Sequence, residues 1–332
     1  MKRGRPLSTN GEIVLEYLKR FPNLPNLTLS KKIYLENKEL FSSVDYVRTH
    51  IRYYKGKQGA SQKNKLANKT FVNIKNKPHL IPESHTKHVE VWKLPKTNKK
   101  ILILSDIHIP YHDVEAIKTA LNEGKQQGID TIYLNGDIMD FFMLSFHEKN
   151  PKNRPSLKNE LDMAREFFAY LRQEFPNVTI YFKPGNHEYR LERYLYLKAP
   201  ELLDCEEFQL KVLLELAKHK IIFIEKRTKT YFGDLLIEHG DRMKGNGGVN
   251  PARSLYMRYK RHILTGHFHR KSEHVEKIYD GSLVTTFSVA CLCELEPEFF
   301  EVNNHAHGFA IVEMSGDNFK VRNYLIEDGK LY

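Results

Sequence analysis

Cysteine is nearly absent from this chain. Three occur in 332 residues, Cys205, Cys291 and Cys293, too few and too unevenly spaced for a disulfide framework and without the second pair a four-cysteine zinc site needs. An intracellular, reducing compartment is the expectation. Long apolar runs are missing as well: no stretch approaches the roughly 18 consecutive apolar residues of a spanning helix, and the amino terminus is polar and basic with no apolar leader core. No internal repeat is visible. A cytoplasmic protein that does not enter the membrane is expected, and its oligomeric state is open. Acidic residues are scarce in one region. Residues 1–100 carry 22 Lys and Arg against 7 Asp and Glu, a net of +15 within a whole-chain +11, so the remainder nets −4. A polyanion such as nucleic acid is the natural partner of that first third, and an acidic membrane surface the second.

What is present is a repeated pattern of apolar strand followed by polar loop. Ile101-Leu102-Ile103-Leu104 runs into Asp106 and His108. The same design recurs from Thr131 into Gly136-Asp137, from Thr179 into Gly185-Asn186-His187-Glu188, from Leu235 into His239-Gly240, and from His262 into Gly266-His267-Phe268-His269. Short Ile- and Leu-rich runs read as buried strands, whose carboxyl edges are where α/β folds place their chemistry. One such run means little, but five in order are hard to explain by packing.

Asp106-x-His108, Gly136-Asp137-x-x-Asp140, Gly185-Asn186-His187-Glu188, His239 and Gly266-His267-x-His269 together resemble the motif set of the calcineurin-like metallophosphoesterases. The resemblance covers roughly residues 100 to 290. It implies a four-layer α/β/β/α sandwich and a site for two divalent metal ions, with Asp106, His108 and His269 on one ion, Asn186, His239 and His267 on the other, and Asp137 between them. It also implies His187 as the proton donor to the leaving oxygen, with Asp140 holding its tautomer. Asp, Asn and neutral His suit manganese, with iron or zinc as alternatives. Seven such groups are too many for one tetrahedral zinc and about right for two metals with open positions.

Three regions are expected: a basic helical domain at 1–55, a polar basic linker at 56–88 and the catalytic domain at 89–332. Lys2-Arg3-Gly4-Arg5-Pro6 resembles an AT-hook core, in which arginines lie in the narrow minor groove of A·T-rich DNA. Helical spacing recurs from Ser8 to Phe21, from near Thr28 or Ser30 to about Phe41, and from Val44 to Tyr54. Arg48, Arg52 and Lys55 lie outward on the last, which fits a DNA-binding helix-turn-helix bundle, favoured because the flanking tail and linker are basic too, with a bundle that docks on protein as the alternative. Val89 to Leu94 is expected as an edge strand. Helices are expected after Asp113, over 157–175, 189–197, 206–219 and 251–259, and strands over 221–224, 230–232, 235–238, 263–264, 283–289, 308–313 and 319–325. The β-α-β-α-β order of the first half predicts a parallel sheet, and the short turns of the second half a second sheet against it.

Arg190 and Arg193 could clamp a phosphate or simply line a salt-bridged helix face. His112 could touch substrate, although an exposed loop histidine is the simpler account. Asn304, His305 and His307 could line the cleft, and Cys291 and Cys293 read as buried fillers of a strand. Phosphoprotein phosphatases of the family carry Arg and Gly after the second Asp of Gly-Asp-x-x-Asp; here Phe141 and Phe142 stand there. An aromatic at the mouth could stack on a base. The first reading is therefore a metal-dependent phosphodiesterase, nuclease or end phosphatase acting on nucleic acid delivered by the amino-terminal domain. A phosphoprotein phosphatase is the second, and a DNA-binding protein with a vestigial metal site the third.

Overall fold

Ile101 and Ile103 face one way from their strand and Leu102 and Leu104 the other, and this period-two alternation sets the layers of the larger part of the chain. The computed structural model describes residues 8–56, 86, 89–146, 156–243, 245, 247–296, 303–316 and 318–332. The AT-hook-like segment with Arg3 and Arg5, and most of the linker, lie outside the described residues. Two compact units divide after Thr86.

In the first unit, α1 (Thr9–Arg20), α2 (Asn26–Glu36) and α3 (Val44–Lys55) surround Val14, Leu18, Leu29, Ile33, Val47 and Ile51. Ser8 and Ser43 accept the N–H of Gly11 and Tyr46 and so start α1 and α3. The second helix begins earlier than its pattern indicated because Pro25 precedes it with φ already near helical. It stops earlier too, where the Asn37 amide donates to the Ile33 carbonyl at 3.0 Å. Phe41 enters the core from the following turn. Arg52 is exposed and Arg48 half-buried, whereas Lys55, expected outward, turns onto its own bundle and donates to Asn26 Oδ1 at 2.8 Å.

The second unit is built from two sheets. In chain order its elements are β1 (Val91–Lys93), β2 (Lys100–Leu104), α4 (Val114–Gln126), β3 (Thr131–Asn135), α5 (Leu157–Glu174), β4 (Thr179–Lys183), α6 (Tyr189–Lys198), α7 (Leu210–Leu213), β5 (Ile221–Phe223), β6 (Lys229–Phe232), β7 (Leu235–Glu238), α8 (Pro251–Tyr259), β8 (Ile263–Thr265), β9 (Ser272–Lys277), β10 (Leu283–Ser288), β11 (His307–Ser315), β12 (Asn318–Glu327) and β13 (Lys330–Leu331). One sheet runs β13-β12-β11-β2-β3-β4-β5, with β2 to β5 parallel; the other runs β1-β6-β7-β8-β10-β9. Ile101, Ile103, Tyr133 and Val312 of the first meet Phe232, Ile237, Leu264 and Phe287 of the second between the sheets. Leu102, Ile132 and Phe182 pack outward with Ile117 of α4 and Phe168 of α5, and Leu236 and Ile263 pack outward with Leu255 of α8. The result is the expected α/β/β/α sandwich.

Two elements differ from expectation. The helix over 206–219 is reduced to a 3-10 turn at Glu206–Phe208 and the short α7, because Arg165 reaches from α5 and donates to the Leu213 carbonyl at 2.9 and 2.7 Å, while Glu215 turns left-handed at φ 52°. The strand β9 carries Ser272, Glu273, His274 and Glu276, so its sequence shows no apolar face, yet it pairs along its length with β10.

Candidate metal centre

The parallel strands β2, β3 and β4 and the strands β7 and β8 of the opposite sheet all point their carboxyl ends at one place, so their loops converge. The backbone pays a conformational cost there: Asp106, His108, Asp137, His267 and His269 all take positive φ, between 53° and 68°. Each such residue costs about 1 to 3 kcal/mol and persists only where its surroundings fix it. For Asp137 and the loop around it, that fixing comes from Glu188. Its buried carboxylate accepts the N–H of Ile138 at 2.7 Å and Met139 at 2.9 Å on one oxygen, and of Asp137 at 3.0 Å and Gly185 at 2.7 Å on the other. Close approach adds to it: a Cβ on Gly185 would lie 2.7 Å from the Asp137 nitrogen, and one on Gly266 would lie 2.8 Å from Ser105 Cβ.

The side chains meet in a way that asks for cations. His108 Nδ1 is taken by Asp140 Oδ2 at 3.0 Å and His239 Nδ1 by the Asn135 carbonyl at 2.8 Å. With those outer nitrogens donating, both Nε2 lone pairs point inward. His108 Nε2 faces His269 Nε2 at 3.2 Å, and His239 Nε2 faces Asp137 Oδ2 at 3.0 Å and Asn186 Oδ1 at 3.2 Å. Asp106 Oδ2 accepts the N–H of His267 at 2.9 Å, while Oδ1, buried, has no hydrogen-bond partner among the described residues and lies 3.3 Å from His269 Nε2. Lone pairs and carboxylate oxygens turned toward each other repel unless positive charge lies between them. The electrostatics of the cluster point the same way. Burial would press His239 down, yet Asp137 and Asp106 raise it to about 10. Burial would push Asp106 up, yet His269 and His239 hold its carboxyl well below the usual range.

Of four overlapping groups among the described residues, which also join His108 with His269 and Cys293 and with Asp140 and His187, two share Asp137. Asp106, His108 and Asp137 form one, with His269 against it; Asp137, His239 and His267 form the other, with Asn186 against it. Every ligand implied by the sequence resemblance is thus brought together, and the donor set fits two divalent cations of hard to borderline character.

His187 stands beside this cluster. Its ring lies edge-on to His108 at 4.3 Å, its Nδ1 meets the Asp140 carbonyl at 3.0 Å and Asp140 Oδ2 at 3.3 Å, and Arg190 donates to its Nε2 at 3.0 Å. Burial keeps its imidazole below the ordinary value. Arg190 also pairs with Asp140 Oδ1 at 3.1 Å, so it is both salt-bridged and at the site. Arg193 is elsewhere, exposed and stacked over Phe146 at 3.4 Å.

Other expectations need correction. Phe141 is fully buried in the helix-side core and cannot stack on a ligand, because its left-handed backbone turns the ring inward. His112 bridges to Cys293 through backbone only and joins neither group. Cys293 is more than a filler: its sulfur lies 3.8 Å from His269 Nδ1, outside any strand. His305 lies tilted against His269 with ring centroids 4.5 Å apart, as its place among the cleft candidates allowed. Glu188 and Asn135 carried no assigned role in the sequence. Their work is done on backbone groups of distant loops, which leaves no pattern; the signal for Glu188 was its place directly after His187.

Among the described residues no helix is long and apolar enough to cross a membrane. The chain is 25% identical over 241 residues to the Gene 54 protein of Mycobacterium phage L5, covering 67% of this chain and 92% of that one. It is 26% identical over 186 residues to the Gene 54 protein of Mycobacterium phage D29, covering 52% and 70%. Among solved structures it resembles Vacuolar Protein Sorting 29 from Cryptosporidium parvum, at 15% identity and TM-score 0.38 over 70% of this chain and 94% of that one. It also resembles Yfce, a phosphoesterase from E. coli, at 13% identity and TM-score 0.33 over 70% and 96%. Residues 99–271, more than half of the chain and the stretch that holds every side chain of the two metal groups, match the calcineurin-like phosphoesterase family. The chain belongs to that family and is a metal-dependent phosphoester hydrolase.

Proposed function

We propose that the protein hydrolyses phosphoesters of nucleic acid, with two divalent ions, manganese foremost, held by Asp106, His108 and His269 and by Asn186, His239 and His267, and shared at Asp137. The observation that carries the metal part is the inward turn of the His108 and His239 Nε2 lone pairs onto carboxylates. When bound, the ions supply the positive charge that neutralises a phosphoryl group and make water more acidic.

The side chains divide the remaining work. Asp140 holds His187 by its Nδ1, so proton movement is confined to Nε2, which faces the cluster 3.7 Å from Asp137 Oδ2. Once Arg190 turns away from it, that nitrogen can take up a proton and hand it to the leaving oxygen. Arg190, beside it, brings a guanidinium that can turn from Asp140 to a phosphate oxygen.

Two features favour nucleic acid over phosphoprotein. The arginine that follows the second Asp in the family's protein phosphatases is here Phe141, sealed in the core. The +15 net charge of residues 1–100 suits a polyanion, with the exposed Arg52 of α3 and the arginines of the leading segment as contacts. Incubation of the manganese-loaded full chain with phosphopeptide, nucleotide, single strand and duplex tests it, with His187→Ala as control. Release of phosphate or fragments from nucleic acid is expected. Turnover of phosphopeptide alone would establish the phosphoprotein reading instead.

A further inference from the structure

Residues 242–272 contain eight Lys and Arg and no Asp or Glu, inside a catalytic region whose net charge is negative. This run passes from the loop after His239, through α8, to the loop that holds His267 and His269. Between its two ends lies a cavity of about 600 Å³ lined by Met243, Gly248, Asn250, Arg253, Met257 and Arg258. One side chain separates it from the metal centre: its wall residue Gly247 lies against the ring of Phe268, the residue between His267 and His269, so closely that a Cβ there would be 3.0 Å from the ring. The wall is held in place from within. Asn250 Oδ1 accepts from the Arg253 N–H at 2.9 Å and from Ser272 Oγ at 2.6 Å, and Ser254 Oγ donates to the Gly247 carbonyl at 2.7 Å.

The cations of this run are not equally free. Arg242 donates to the Lys226 carbonyl, and Arg261 is stacked on Tyr231. Arg253 and Arg258 are exposed at the cavity, and among the described residues neither pairs with a carboxylate. Two guanidiniums without counter-charge, flanking a preformed hollow with exposed Met257 on its side, match an extended phosphodiester chain: forks for phosphate oxygens and a pliable apolar contact for a base.

We propose that this cavity binds the nucleic-acid backbone next to the scissile phosphate, with Arg253 and Arg258 each on a phosphate. The proposal rests on the nucleic-acid reading above. It places polymer recognition on the catalytic part itself, beside any contribution from the amino-terminal helices.

The test is fluorescence anisotropy of a labelled oligonucleotide with the full chain kept in chelator so that binding is read without turnover. Wild type is compared with an Arg253→Gln, Arg258→Gln double variant and with Arg253→Lys, Arg258→Lys, from about 50 to 200 mM salt. The glutamine variant should bind roughly tenfold or more weakly, with a log-log salt slope shallower by about 2, and the lysine variant should regain the slope. An unchanged thermal midpoint shows that the fold is intact. Equal affinity and slope for wild type and glutamine variant would overturn this inference alone and leave the nucleic-acid reading standing. A wild type that binds no oligonucleotide would overturn both.

Discussion

Nε2 of His239 lies 3.0 Å from Oδ2 of Asp137, although the two residues follow strands of different sheets. The contact is possible because the sandwich brings the carboxyl ends of β3 and β7 to one rim, where the Asn135 carbonyl fixes the His239 ring from behind at 2.8 Å. Site geometry and sheet packing are therefore one problem: a shift of either sheet would separate the two metal groups.

Glu188 should be the most sensitive structural position of the site. Replacing it by Gln keeps one acceptor oxygen and sets an amide against two backbone N–H groups that the other oxygen now satisfies. Two buried unsatisfied donors cost about 2 to 6 kcal/mol, which for a domain of this size lowers the thermal midpoint by roughly 5 to 20 °C. Calorimetry of Glu188→Gln checks it, and a midpoint within a degree of wild type would show that the brace is unimportant.

Gly185→Ala should damage the site while sparing the fold. The added methyl runs into the Asp137 carboxylate and its backbone nitrogen, so Asp137 must move away from His239. Hydrolysis of a chromogenic phosphoester is expected to fall by at least about tenfold, the cost of a misplaced charge-bearing group, with little change in far-ultraviolet circular dichroism. Wild-type turnover in the variant would mean that the loop relaxes without displacing the carboxylate.

His187→Ala removes the proposed proton carrier but no proposed ligand. A loss of about 10²- to 10⁴-fold in kcat is expected, with metal content unchanged. The loss should shrink for a substrate whose leaving group needs no proton, such as a nitrophenyl ester. Equal losses for good and poor leaving groups would place His187 outside proton transfer.

Glu160 gives the stability a pH dependence. It is buried on α5 against the backbone N–H of Phe141, and burial raises its carboxyl from 4.5 to about 8. Between those values the folded chain holds a proton that the unfolded chain has lost, so this contribution is complete below about pH 4.5 and declines as pH rises toward 8. Glu160→Gln stays neutral throughout and should flatten that decline in urea midpoints measured at pH 5, 6.5 and 8. An undiminished decline would assign the slope to other groups.

The layering was legible because its cause is local. Ile101 to Leu104 and Thr131 to Leu134 carry buried-strand runs, and Ile117, Ala120 and Leu121 a helical stripe, each read from a few neighbouring residues. The residues of the candidate metal cluster were legible because each follows a strand end. What escaped depends on three-dimensional neighbours. Arg165 ends a helix some fifty residues away, β9 is a strand only because β10 is beside it, and the burial of Phe141 follows from a left-handed turn. Cys293 and Glu188 act on His269 and on loop amides that no spacing in the sequence links to them.

Metal content measured by mass spectrometry on the full chain, loaded with manganese and freed of excess ion, tests the central claim most directly when wild type and Asp137→Asn are compared. Two equivalents are predicted for wild type and one or fewer for the variant, since Asp137 is the carboxylate both groups share. Less than one equivalent in wild type, or two retained by the variant, would contradict the paired centre.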